Sequence, residues 1–203
     1  MGIFRMNKYI VLLLISDVFT VSGLGLIDPI FAVFAADHVA GGSVSTVGIA
    51  VGIFLITKSI IQLPFSWKID ACDDEYDIRW LLTGNVLLIS GPIIYFFATD
   101  ITHVYIAQFL SGIGAGLAYP AWLGLWSTHL DKSRESFEWS FYSTLTGVAT
   151  AATAVIGAYI AEVYGFKMTF LAVIFLSICG VVSLLYLRSL HYRRTSKKYR
   201  GRF

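Results

Sequence analysis

Along the chain, long apolar runs alternate with short polar stretches, and the runs have the length of membrane-crossing helices. They fall near residues 9–34, 46–67, 79–98, 104–128, 137–163 and 168–187. A spanning helix needs about 20 predominantly apolar residues, and the dyad alternation of a membrane barrel is absent. Lipid offers no water to satisfy open strand edges, so all six runs read as helices. The pattern predicts an all-α membrane domain over residues 1–190, followed by a basic cytoplasmic tail over 191–203.

Composition agrees with the pattern. Of 203 residues, 57% are apolar and 14% are charged, against about 25% charged in soluble domains. This excludes a soluble enzyme. The net charge of +2 carries no nucleic-acid or acidic-substrate signal, but its distribution is informative. Thirteen of the 15 Lys and Arg residues lie at the N-terminus, in the second-to-third and fourth-to-fifth connections, and in the tail; the opposite connections hold only Lys167. By the positive-inside rule both termini are cytoplasmic, which places the chain in the cell (inner) membrane. The first run follows Arg5 and Lys8 as a signal peptide would, but cleavage after Ala35 would leave five spans and put the tail opposite the other basic segments. The tail reads as a topology anchor, with binding of anionic lipid as the alternative at about 1 kcal/mol per basic residue. Cys72 and Cys179 have no C-x-x-C spacing, so neither a disulfide, a metal site nor a cofactor is expected.

Three ionisable residues, Asp17, Asp28 and Lys58, fall inside the apolar runs. Such groups need a partner or a water-filled cavity. Asp17 lies eight residues into the first run, roughly 12 Å deep, and Lys58 nine residues before Trp67, roughly 13 Å deep. Equal depth on antiparallel helices predicts an ion pair, which either fastens the two helices or binds a charged solute or proton. Asp28 precedes Pro29 near the outer end of its run, as a helix interruption or a gating residue.

Small residues form flat helix faces: Gly48 with Gly52, Gly112 with Gly116, and Ala149, Thr153, Gly157 and Ala161. Such faces let helix backbones approach closely in lipid. Pro120 and the pair Gly91 and Pro92 are expected to bend their helices. Tyr119, Trp122 and Trp126 recur on one helical face, and Tyr119 and Trp122 are the candidates to line a pocket for an organic solute. Trp126 and Trp139 sit where an interfacial aromatic belt is expected.

These features resemble one half of a major facilitator superfamily transporter. The segment from Gln62 through Pro64 to Asp70 is similar to the family's G-x-x-x-D-R-x-G-R-R signature, with Asp70 as its aspartate, Ser66 in place of glycine, and Ala71, Cys72, Asp73, Asp74 and Glu75 in place of the basic run. Gly112 and Gly114 match the fourth-span R-x-x-x-G-x-G, with Gln108 where arginine is frequent; residues 157–170 resemble the connection from fifth to sixth helix. The resemblance implies a gating contact for Asp70. It also implies a second six-helix half, supplied by another copy in a homodimer or by a separate partner, with the second span of one half against the fifth of the other. There the Gly48/Gly52 face would meet the Ala149/Gly157 face.

The expected function is therefore transport of a small solute or ion by alternating access. Asp17 and Lys58 form the polar centre, and Asp28, Gln108, Tyr119 and Trp122 line the path. The loss of the arginine at Gln108 weakens a proton-antiport assignment. The alternative is a non-transporting scaffold or assembly subunit. An intramembrane serine hydrolase is disfavoured, because Phe109 stands where G-x-S-G needs glycine before Ser111, and His38, His103, His129 and His191 all lie at helix ends or in polar segments.

Overall fold

The structure is a computed structural model describing residues 6–200, with side chains as far as Arg193. Arg5, Arg202 and the side chains of residues 194–200 lie outside the described residues, and with them most of the basic tail. Seven helices are described, six of them long and apolar enough to cross a membrane. They are α1 (Lys8–Ile27), α2 (Phe31–Asp37), α3 (Val44–Ile69), α4 (Asp74–Phe97), α5 (Ile101–His129), α6 (Glu135–Tyr164) and α7 (Phe166–Arg200).

The first span differs from the single run expected. It is divided into α1 and α2 by a turn at Asp28, Pro29 and Ile30, because Pro29 has no N–H to offer the preceding helical turn. The chain restarts when the N–H of Phe34 donates to the carbonyl of Ile30 at 2.9 Å. The third span begins at Asp74, before the expected residue 79, for an electrostatic reason. Asp73 caps it by accepting from the N–H of Tyr76 at 3.1 Å, and Asp74, Glu75 and Asp77 occupy a first turn that favours carboxylates. Charges that read as loop are thus helix. The last helix likewise runs past residue 187 into the basic segment.

Helix α5 is wedged between α3 and α4, and its glycine spacing explains how. Gly112 and Gly116 share one face; a Cβ on Gly112 would stand 2.8 Å from Cβ of Thr57, and one on Gly116 would stand 2.9 Å from Cβ of Ile61, both on α3. Gly114 points the other way, against Gly84 and Leu88 of α4. Elsewhere α1 packs against α6 and α7, and α4 against α7. Gly157 of α6 rests on the backbone of Leu26, and Gly25 of α1 rests on Thr150 and Thr153.

Consecutive spans are therefore not all neighbours. The first and second spans do not lie along each other through α1 and α3, nor do α3 with α4 or α5 with α6. Short connections bring helix ends together without aligning their lengths. Among the described residues, nothing beyond the neighbouring backbone of their own helix lies within 4 Å of where a Cβ would stand on Gly48 or Gly52, which were expected as packing glycines. Gly157 is not available to meet them from another copy, because α1 already covers it.

Two apolar clusters fill the bundle. One, at the end carrying both termini, holds Ile10, Leu13, Ile78, Leu125, Trp126 and Leu187; the other holds Phe34, Tyr95, Val104, Ala107, Phe170 and Val173. Polar contacts tie the terminal end further. Glu75 accepts from Arg79 at 2.9 Å and from Arg188 at 3.0 Å. The ring of Tyr9 stacks on His129 at 4.3 Å, and its hydroxyl lies 3.0 Å from Nδ1 of His191. These contacts join the starts of α1 and α4 to the end of α5 and to α7.

Substituting Gly157→Val drives a branched side chain into the Leu26 backbone and should lower stability by about 1–3 kcal/mol. Gly48→Val, facing open space, should change it by less than about 0.5 kcal/mol. Unfolding of both variants in one detergent compares them directly; equal losses would contradict this packing.

Candidate functional site

At the level between the two clusters, α1, α3, α4 and α5 line a cavity of about 620 Å³, with single or paired contributions from α2, α6 and α7. All six residues expected on the solute path, Asp17, Asp28, Lys58, Gln108, Tyr119 and Trp122, are in its wall. Asp17, Lys58 and Gln108 are half-buried, Trp122 is buried, and Tyr119 and Asp28 are exposed. Asp28 reaches the cavity because the helix break at Pro29 lies beside it.

The expected ion pair is not formed. Asp17 is held by the hydroxyl of Tyr142 on α6, which donates to Oδ2 at 2.7 Å. Lys58 makes no ion pair among the described residues. Its Nζ instead lies 5.0 Å from the centroid of the Tyr119 ring, an attraction between a cation and the negative face of a π system. The physical reason is the helix order. With α3 packed on α5 and α1 packed on α6 and α7, equal depth leaves the two charges on different walls.

An aromatic group lies at the end of the cavity nearer the termini. Trp122 stacks on Trp126 at 5.1 Å and meets Tyr142 at 5.0 Å. On the α4 side, the Thr20 hydroxyl lies 3.0 Å from Oδ1 of Asn85, whose amide donates to the carbonyl of Leu81 at 2.9 Å. Tyr142, Asn85 and Thr20 were not among the expected path residues. Asn85 carried a signal, a lone amide in the third apolar run; a tyrosine at 142 gave none, since phenols are ordinary near membrane interfaces.

Asp70 caps α3 at the terminal end and is exposed. It borders a second, smaller cavity of about 310 Å³ with Gln62, Ser66, Gly124 and Thr128. Tyr119 belongs to the walls of both cavities. The residue is thus shared between the central space and the cavity beside Asp70.

Residues 9–202 match the family described as the Major Facilitator Superfamily. The chain belongs to that superfamily. An uncharacterized MFS-type transporter of Methanocaldococcus jannaschii is 20% identical over 195 residues, which cover 96% of this chain and 49% of that protein. The chain thus spans about half the length of the curated relative it matches. Superfamily membership and six apolar helices make it an integral membrane protein of a transporter family, with the helices of one half-bundle.

The Tyr142 contact is testable by itself. Hydrogen bonds to charged groups contribute about 1.5–3 kcal/mol, so Tyr142→Phe should destabilise the bundle by that amount. In Asp17→Asn the same change should cost measurably less. A double-mutant cycle by denaturant unfolding reads the coupling; strict additivity would show that the two side chains do not interact.

Proposed function

We propose that this superfamily member moves a small solute across the membrane by alternating access, working as a homodimer of half-sized bundles or beside a separate second half. Asp17 and Lys58 form the polar centre, Asp28, Gln108, Tyr119 and Trp122 complete the path, and Asp70 makes the gating contact. The observation that carries the reading is the convergence of all six residues on one cavity of about 620 Å³ between two apolar clusters. A scaffold has no need to keep a carboxylate and an ammonium unpaired in a space of that size. Both termini face the cytoplasm, by the distribution of basic residues.

The outer surfaces of α3 and α6 support the association with a second bundle. Only 11% of the spanning window of α3 and 6% of that of α6 is buried, against 50% for α1. The two helices do not pack on each other within the chain. Gly52 lies eight residues from the start of α3 and Ile156 eight residues from the end of α6, so both are roughly 12 Å from the same membrane face.

Alternating access is tested without knowing the solute. With Cys72 and Cys179 replaced by Ser, Ala115→Cys places one thiol in the cavity wall. A membrane-impermeant maleimide should label it when applied from either side of oriented proteoliposomes. Labelling from one side alone would overturn the transport cycle and favour a static scaffold.

The homodimer has its own test. Gly52→Cys and Ile156→Cys proteins, mixed in one membrane, should form a crosslinked species of twice the chain mass under oxidation. Its absence, with each single variant folded, would exclude this pairing of α3 with α6 of another copy.

A further inference from the structure

We propose that the solute is a zwitterion, an organic amine that also bears a carboxylate, with its ammonium taken by Asp17 and its carboxylate by Lys58. The inference rests on the transport reading and narrows it to a substrate class. Its basis is that the two opposite charges face one cavity without neutralising each other. Lys58 lies over the Tyr119 ring. Tyr119 and Tyr142 line the same cavity, and Tyr142 donates to Asp17. In one cavity the ammonium and the carboxylate are thus each met by a tyrosine and not by each other.

A site of that form discriminates by charge. A solute with only a positive group satisfies Asp17 but brings a second cation into the space of Lys58. A solute with only a negative group reverses the problem. In a space walled mostly by apolar side chains, each uncompensated charge is costly. A zwitterion lies antiparallel to the dipole of the wall and satisfies both ends. Lys58 needs only to leave the face of a ring, an attraction weaker than a direct charge-assisted hydrogen bond.

Asp28 sets the polarity of entry. It is eleven residues from Asp17 on the same span, roughly 16 Å along the helix, too far to share one ammonium. It is exposed, and makes the cavity acidic at the end away from the termini. A net anion meets repulsion there. The aromatic surface of Phe31, Phe54, Tyr119 and Trp122 supplies the complementary wall for an apolar body between or beside the two charges.

Three probes with the same body and different charges test this: L-phenylalanine, phenethylamine and 3-phenylpropionate. Each is assayed for protection of Ala115→Cys against N-ethylmaleimide in the full chain lacking its native cysteines. Phenylalanine should protect at concentrations about tenfold lower than either singly charged analogue. Asp17→Asn should abolish its advantage over phenylpropionate, and Lys58→Met its advantage over phenethylamine. Asp17→Glu and Lys58→Arg should keep the preference, which separates charge recognition from misfolding. The proposal is overturned if a singly charged analogue protects as well as phenylalanine, if the ranking survives both neutral variants, or if none of the three protects. Two-sided labelling without protection would leave transport standing and remove the zwitterion; protection with one-sided labelling would keep the charge-reading site and remove the transport cycle.

Discussion

Close approach of helix backbones along α5 is the constraint on which the cavity depends. Where lipid is as apolar as leucine, helices associate through packing and not through exclusion of water. Glycines on opposite sides of α5 let it take α3 on one side and α4 on the other. The consequence for chemistry lies at Gly116, where a Cβ would stand 3.0 Å from the carbonyl oxygen of Lys58. That contact fixes the backbone of α3 at the level of its one intramembrane cation. One turn further along α5 is Tyr119, and the Lys58 ammonium reaches its ring. A larger residue at 116 would displace the lysine together with the helix that carries it.

The same architecture decides how the charges are accommodated. A charged side chain in hydrocarbon is stabilised by an opposite charge, by hydrogen bonds or by water. Here the pair is divided, and each member is met by an aromatic side chain: a phenol that donates to Asp17 and a ring face under Lys58. Each group keeps part of its coordination open toward the cavity. A direct ion pair would have satisfied both and left neither free to meet a third group. The polar contacts at the terminal end have a different character, because Glu75 engages two arginines at once and joins α4 to α7. The bundle is fastened there and left chemically open at its centre.

How much of this is legible in the sequence follows from what each signal measures. Hydropathy gives the number of spans, and six helices stand where six runs were read. Intramembrane polarity points to an internal space, since burying Asp17, Lys58 or Gln108 requires one, and all three line the central cavity. Depth, however, is one coordinate. It places Asp17 and Lys58 at one level but says nothing of their direction around each helix axis or of which helices adjoin. For that reason neither Tyr142 nor Tyr119 was expected as the partner of a charge, although Tyr119 was expected in the wall. The small-residue motifs were ambiguous for the same reason. Gly112, Gly114, Gly116 and Gly157 meet neighbours within the chain, while Gly48 and Gly52, identical in pattern, meet none among the described residues.

That difference bears on how the cavity is closed. Val51, Leu55 and Lys58 lie on the face of α3 that lines it. Gly48 precedes Val51 by three residues and Gly52 precedes Leu55 by three, which sets both glycines beside that face. A flat glycine surface gains nothing from lipid chains that a larger side chain would not gain better; its advantage appears when another backbone comes close. A helix laid against Gly48 and Gly52 would bring its own side chains over the rim of the cavity. On the opposite flank, α6 carries Tyr142 inward and Val148, Val155 and Tyr159 outward. One surface laid against both bare helices would therefore close the central space and bury them together.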